Sequence, residues 1–120
     1  MSFTTQAQDG ILTIYFQDAR ILDEVKLDQV GRDLEEVLNR TTEDRVILNF
    51  MKVQFMSSSM LGKLVAVHKR CKEFKVKLKL CSISPDIRQV FKITKLDKLF
   101  EIESDEAAAR KAFLRRGIFG

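Results

Sequence analysis

Three consecutive serines are the side chains of this sequence whose type and spacing could take part in chemistry. Ser57, Ser58 and Ser59 follow an apolar stretch that ends at Phe55-Met56, and a helical pattern begins at once after them. A serine at the start of a helix normally caps it, because its hydroxyl oxygen accepts a hydrogen bond from a first-turn backbone N–H. One cap requires one serine, and Ser57 is predicted to supply it. No structural role is then predicted for the hydroxyls of Ser58 and Ser59.

Catalysis by one of these serines would need a base to activate the hydroxyl. His68 is the only histidine in the chain. If His68 and Ser58 lie on one helix, their separation of ten residues places them about 15 Å apart along the axis, beyond hydrogen-bond reach. No glycine-rich phosphate loop, Walker loop or nucleophile elbow is present in the sequence. We therefore predict no catalytic residue and no enzymatic activity.

Metal and cofactor binding find no support in the sequence. Cys71 and Cys81 are too few for a disulfide framework, and each lies in an apolar periodic stretch, which predicts buried free thiols. His68 has no cysteine or carboxylate cluster at ligand spacing and is predicted to flank a helix. We expect no metal and no cofactor.

The elements that position the serines follow from the apolar pattern. Short apolar runs alternate with helical patterns, which predicts an α/β fold of one domain, residues 1–120. Strands are predicted at 3–8, 11–16, 45–50 and 77–81, with 53–56 leading into the serines. Helices are predicted from near Asp23 to Leu38, from Ser57 to about Phe74, from Pro85 onward, and from Ala107 to about Leu114. We expect a mixed sheet of four or five strands with about four helices mainly on one face.

Two local patterns refine this picture. Lysine alternates with leucine in 77–81, which predicts a strand with one side facing solvent. Gly31 interrupts the first helical pattern at a cost of about 1 kcal/mol relative to alanine, so we suggest that this helix packs closely on a neighbour there.

The charge of the chain is unevenly distributed. Residues 1–43 contain four Lys or Arg against nine Asp or Glu, a net −5, whereas 44–120 contain seventeen against eight, a net +9. Such a split can steer a charged protein partner. No aromatic platform interleaves with the lysines near 69–79, where Phe74 is the one aromatic residue, so no direct nucleic-acid binding is expected. No apolar run approaches the ~20 residues of a membrane helix and no secretory signal is evident, so we expect a cytoplasmic location without membrane insertion.

The sequence resembles the STAS family, the anti-sigma factor antagonist domains, over nearly the whole chain. Members typically have Phe-Met-Asp-Ser-Ser-Gly-Leu-Gly between a strand and a helix, and this chain has Phe-Met-Ser-Ser-Ser-Met-Leu-Gly at 55–62. The strand and proline-started helix around 80–85 and the ending at 90–107 follow the family pattern. Ala19-Arg20-Ile21-Leu22-Asp23 loosely resembles its Gly-(Arg/Glu)-Leu-Asp loop.

The resemblance implies a regulator that binds an anti-sigma factor with serine kinase activity. The family's phosphate-accepting serine corresponds to Ser58, with Ser57 and Ser59 as alternatives. Phosphate would break the complex and a phosphatase would restore it; a homodimer is left open. The partner-binding residues are predicted to be Ser57, Ser58, Ser59, Met60, Lys63 and Asp23.

Two positions depart from the family pattern. The family's aspartate is Ser57 here, and its glycine is Met60, which would either alter the partner surface or join the core. The alternative interpretation is therefore a STAS-type protein-binding subunit or scaffold, associated with a transporter or a stress-signalling complex, without a phosphorylation switch.

Overall fold

The computed structural model describes residues 3–21 and 24–119. Strands and helices alternate along these residues, which confirms the predicted α/β fold. The strands are β1 (Phe3–Gln8), β2 (Ile11–Phe16), β3 (Arg20–Ile21), β4 (Arg45–Asn49), β5 (Phe55–Met56), β6 (Lys77–Cys81) and β7 (Glu101–Glu103). The helices are α1 (Glu24–Arg40), α2 (Ser58–Glu73), α3 (Pro85–Ile93) and α4 (Glu106–Phe119), with a short 3-10 helix at Leu96–Lys98.

Five strands form a mixed sheet in the order β1-β2-β4-β6-β7. β1 is antiparallel to β2, and the remaining neighbours in this sheet are parallel. The turn between β1 and β2 has positive φ at both Asp9 (57°) and Gly10 (76°), as a tight hairpin turn that matches the strand twist requires. The parallel neighbours are joined by α1, α2 and α3, because parallel strands need a crossover connection. The predicted mixed sheet is confirmed.

The two faces of the sheet are covered unequally. Side chains alternate along a strand, so Val46 and Leu48 of β4 enter the large core beneath α1, α2 and α3, while Ile47 points the other way. Ile47 joins a smaller cluster with Phe113 of α4. Three of the helices in the described part of the chain therefore share one face, as predicted, and α4 covers the other. None of the helices described is long and apolar enough to span a membrane.

The prediction of a solvent-facing side on β6 is wrong. Lys79 is only 3% exposed, because α4 lies over that side of the strand. Its Nζ lies 3.0 Å from Oε2 of Glu101 and 3.1 Å from Oε2 of Glu103, and 5.3 Å from the centre of the Phe113 ring. The alternation of lysine with leucine correctly predicts the strand. It does not predict exposure of Lys79, because a lysine that is paired with carboxylates can be buried.

The contact of α4 with the sheet depends on Phe113, which is fully buried. Phe113→Ala should lower the free energy of unfolding by about 3–5 kcal/mol, the usual effect of truncating a buried phenylalanine. Leu114→Ala, at the neighbouring half-exposed position, should change it by less than about 1 kcal/mol. Urea denaturation of both variants measures the difference. Equal losses would mean that α4 does not hold Phe113 against the sheet.

Candidate functional site

The serine segment lies where β5 passes into α2. Ser57 has an extended backbone (φ −75°, ψ 161°), and its hydroxyl oxygen accepts a hydrogen bond from the Met60 backbone N–H at 3.4 Å. Ser57 is therefore the N-cap of α2, as the sequence predicts. The same N–H also donates to the Ser57 carbonyl oxygen at 3.1 Å, so the two oxygens of Ser57 share this first-turn donor.

Ser58 and Ser59 are the first two residues of α2, and both are exposed. Their hydroxyls form no hydrogen bond within the described part of the chain. The first turn of α2 contains no acidic residue, so the positive end of the helix dipole is not neutralised there. The prediction that Ser58 is accessible at the start of this helix is confirmed.

A second, two-stranded sheet holds the segment before the serines. β3 and β5 pair in parallel, with Arg20 opposite Phe55. The backbone N–H groups of Gln54 and Phe55 both donate to the carbonyl oxygen of Ala19, at 2.8 and 3.0 Å. Arg20–Ile21, where the sequence pattern predicts no strand, thus forms a short one. Asp23, predicted to contact a partner, lies outside the described residues.

Lys63 connects α2 to α1 below the serines. Its Nζ lies 2.9 Å from Oδ1 of Asp28. This hydrogen bond is the main cause of a lowered pKa of the Asp28 carboxyl, and the positive charge of Lys63 is the second cause. A Cβ at Gly31 would lie 3.3 Å from Cδ of Lys63. The suggested close packing at Gly31 is therefore observed, with the Lys63 side chain as the neighbour.

Met60 is wrongly predicted to lie on the partner-binding surface. Its side chain is fully buried and belongs to the large core. The reason is helical geometry: Met60 begins the inward row of α2 that continues at Leu64, four residues later, on the same helix face. Of the two outcomes left open for this methionine, it joins the core.

The sequence pattern missed an exposed aromatic residue beside the serines. Phe55 is 48% exposed, and the Arg20 guanidinium lies over its ring at 4.7 Å from the centre. Met51, in the turn after β4, is 72% exposed. Apolar residues that follow a buried strand would ordinarily be buried. Here Val53 turns into the core, whereas Phe55 does not. Phe55, Met51 and Ser58 all lie between the end of β4 and the start of α2.

His68 and the cysteines have structural surroundings. His68 packs edge-on against Phe100, with ring centres 5.4 Å apart. Cys71 and Cys81 are buried free thiols, as predicted, and burial raises the pKa of each to about 11. Within residues 3–21 and 24–119, no three His, Cys, Asp or Glu side chains come together as a metal site would require.

The comparison with protein families identifies the domain. The family model described as the STAS domain matches residues 2–109. The chain belongs to the STAS domain family. BtrV of Bordetella bronchiseptica, which is named among the anti-sigma factor antagonists, is 26% identical over 113 residues, 94% of this chain and 95% of BtrV. The anti-sigma F factor antagonist of Paenibacillus polymyxa is 25% identical over 88 residues, 73% of this chain and 75% of that protein.

Solved structures agree with this STAS assignment. An anti-sigma-factor antagonist (STAS) domain protein from Planctomyces limnophilus superposes with a TM-score of 0.78 at 25% identity, covering 92% of this chain and 95% of that one. Bacillus SpoIIAA in its phosphorylated form superposes with a TM-score of 0.68 at 20% identity, covering 92% and 98%. The predicted STAS fold of the anti-sigma factor antagonist type is confirmed.

The separate roles of the serines can be tested by stability. Ser57→Ala should lower the free energy of unfolding of this STAS domain by about 1 kcal/mol, because it removes the cap of α2. Ser59→Ala removes an equally small hydroxyl that makes no described bond, and should change stability by less than about 0.5 kcal/mol. Thermal unfolding followed by circular dichroism measures both. A loss with Ser59→Ala as large as with Ser57→Ala would contradict the assignment of the cap.

Proposed function

We propose that this STAS domain is an anti-sigma factor antagonist that is switched by phosphorylation of Ser58. The observation that carries the proposal is the exposed Ser58 hydroxyl, free of described hydrogen bonds, at the first residue of α2. Because Ser57 supplies the cap, a kinase can modify Ser58 without opening the helix. The partner is an anti-sigma factor with serine kinase activity, and a phosphatase resets the protein. The names of BtrV and of the Paenibacillus relative support the class of partner.

A phosphate on Ser58 suits the fold. It adds about −1.5 to −2 charges at neutral pH, and the start of a helix binds anions through its free N–H groups and its dipole. The first turn of α2 has no carboxylate to repel the phosphate. The added charge therefore leaves the domain folded. It weakens the complex instead, because in the interface the phosphate meets the partner surface and must lose its bound water.

The surface that the partner contacts is proposed to include an aromatic anchor next to the serines. Phe55 is half exposed, with the Arg20 guanidinium above its ring, and Met51, four residues earlier in the chain, is exposed as well. Aromatic and arginine side chains carry much of the binding energy in protein interfaces. Since Ser57 lacks the charge of the family's aspartate, Arg20 and Phe55 give the kinase a feature to recognise in its place.

Substitutions at Ser58 test the switch. Ser58→Asp should leave the free energy of unfolding within about 1 kcal/mol of wild type, as expected for a surface change at a helix start. It should weaken binding of the anti-sigma factor by at least about tenfold, or ~1.4 kcal/mol. Ser58→Ala should retain binding and prevent release by ATP. Calorimetry with the purified anti-sigma factor, identified by pull-down from the native host, measures both affinities.

Ser104→Asp is the matched control, since Ser104 is an exposed serine that precedes a different helix, α4. It should bind as wild type does. If Ser58→Asp unfolds the domain, Ser58 is a structural residue and the switch is excluded. If Ser58→Asp binds normally and mass spectrometry finds no phosphate on Ser58 after incubation with the kinase and ATP, the domain acts as a binding subunit or scaffold without a switch.

The aromatic anchor is tested independently of phosphorylation. Phe55→Ala should weaken binding of the anti-sigma factor by about tenfold or more, the effect of removing an interface anchor. Phe74→Ala is matched to it: Phe74 is 59% exposed and also has an arginine, Arg70, over its ring, but it follows the other end of α2. Phe74→Ala should change the affinity by less than about twofold. Equal effects of the two variants would exclude a specific contact at Phe55.

A further inference from the structure

A cleft lies at the end of α2 opposite to Ser58. It has a volume of about 410 Å³ and is bounded by the last turns of α2, the start of β6 and the 3-10 helix. That volume lies within the range of small-molecule sites, about 300–1,000 Å³. Lys72 and Ser58 are fourteen residues apart on one helix, which at about 1.5 Å per residue corresponds to ~21 Å. The cleft is therefore separate from the serine site.

Three lysines from three different elements line the cleft. Lys72 belongs to α2, Lys77 begins β6 and Lys98 ends the 3-10 helix. Within the described part of the chain, none of the three forms an ion pair. One carboxylate, that of Glu101, also borders the cleft, but its Oε2 is bound to the buried Nζ of Lys79 at 3.0 Å. The cleft therefore has an excess of positive charge.

All three lysines are exposed, and a helix dipole favours the position of only one of them. A cation in the last turn of a helix is favoured by the negative end of the dipole, which accounts for Lys72. Lys77 lies in a strand, and Lys98 lies in a helix of only three residues, so the dipole of a long helix explains neither. Like charges that border one cleft repel one another, and a bound counter-charge relieves that repulsion.

The floor of the cleft is apolar. Val76, the residue before β6, and Leu78, within β6, line it from one side, and Leu99 lines it from the segment after the 3-10 helix. Leu99 is 39% exposed. A site with a few convergent charged groups above an apolar floor is typical of binding sites for small organic molecules.

We propose that this cleft binds a phosphate monoester that carries a compact apolar group. The phosphate, with nearly two negative charges at neutral pH, lies between the ammonium groups of Lys72, Lys77 and Lys98. A carboxylate has a single charge and matches three lysines less well. The apolar group covers Leu99 and the floor at Val76 and Leu78, which removes their exposed surface from water.

The test is an NMR titration of the ¹⁵N-labelled full chain with phenyl phosphate. The amide signals of Val76, Leu78 and Leu99 should shift and saturate. Inorganic phosphate and benzoate, which lack the apolar group and the second charge respectively, should bind at least about fivefold more weakly. Lys98→Gln should also weaken phenyl phosphate binding by about fivefold or more, because it removes one charge contact. Lys69→Gln, at an exposed position of α2 that does not line the cleft, should change the affinity by less than about twofold.

Two results would overturn the proposal. The first is an absence of saturating shifts at the cleft amides. The second is equal weakening by Lys69→Gln and Lys98→Gln together with equal binding of phenyl phosphate and inorganic phosphate, which would show that only the diffuse charge of the surface attracts the anion. Circular dichroism of each variant checks that the domain remains folded, and both substitutions are at the surface.

Discussion

The structure depends on the complete burial of the central strand β4. Val46, Ile47 and Leu48 are all inaccessible, because β4 pairs with β2 and β6 at its edges and is covered on both faces. Buried backbone groups need such pairing throughout. Since both neighbours are parallel, the chain must leave β4 at one end of the sheet and return to the other by a helix. The short β5, the serines and the start of α2 lie on that exit path, so the burial of β4 determines where the exposed serines stand.

Most of the fold could be predicted from the sequence because the apolar pattern reports on burial against one neighbouring layer. The continuous apolar run of β4, the alternation in β6 and the serine-proline start of α3 each correspond to an observed element. The errors arise where the burial of a residue depends on a second layer or on a pairing partner. Lys79 alternates like a solvent-facing residue, yet α4 covers it and two glutamates neutralise it. No local pattern in 77–81 contains that information, because its partners are more than twenty residues away.

The same distinction applies to the site. The cap at Ser57 and the exposure of Ser58 follow from local rules about helix starts and were predictable. The environments of Met60 and Phe55 were not: the methionine predicted on the partner surface turns into the core, and the phenylalanine, for which no exposure was predicted, faces solvent beneath Arg20. Burial at a strand–helix junction depends on the direction in which each backbone segment leaves, and here the two hydrogen bonds to the Ala19 carbonyl set that direction for β5.

The departure of 55–62 from the family pattern changes how the start of α2 is capped and how much negative charge it presents. In a junction with an aspartate at the first position, one side chain both caps the helix and presents a negative charge. With Ser57 in that place, the cap is kept as a hydrogen bond to Met60 N–H, while the positive potential of the first turn has no fixed counter-charge. Met60, fully buried in the core, anchors the first turn from below, which a glycine cannot do. The start of α2 is thus held by packing and by a neutral cap. The positive end of its dipole therefore remains available to an anion at Ser58.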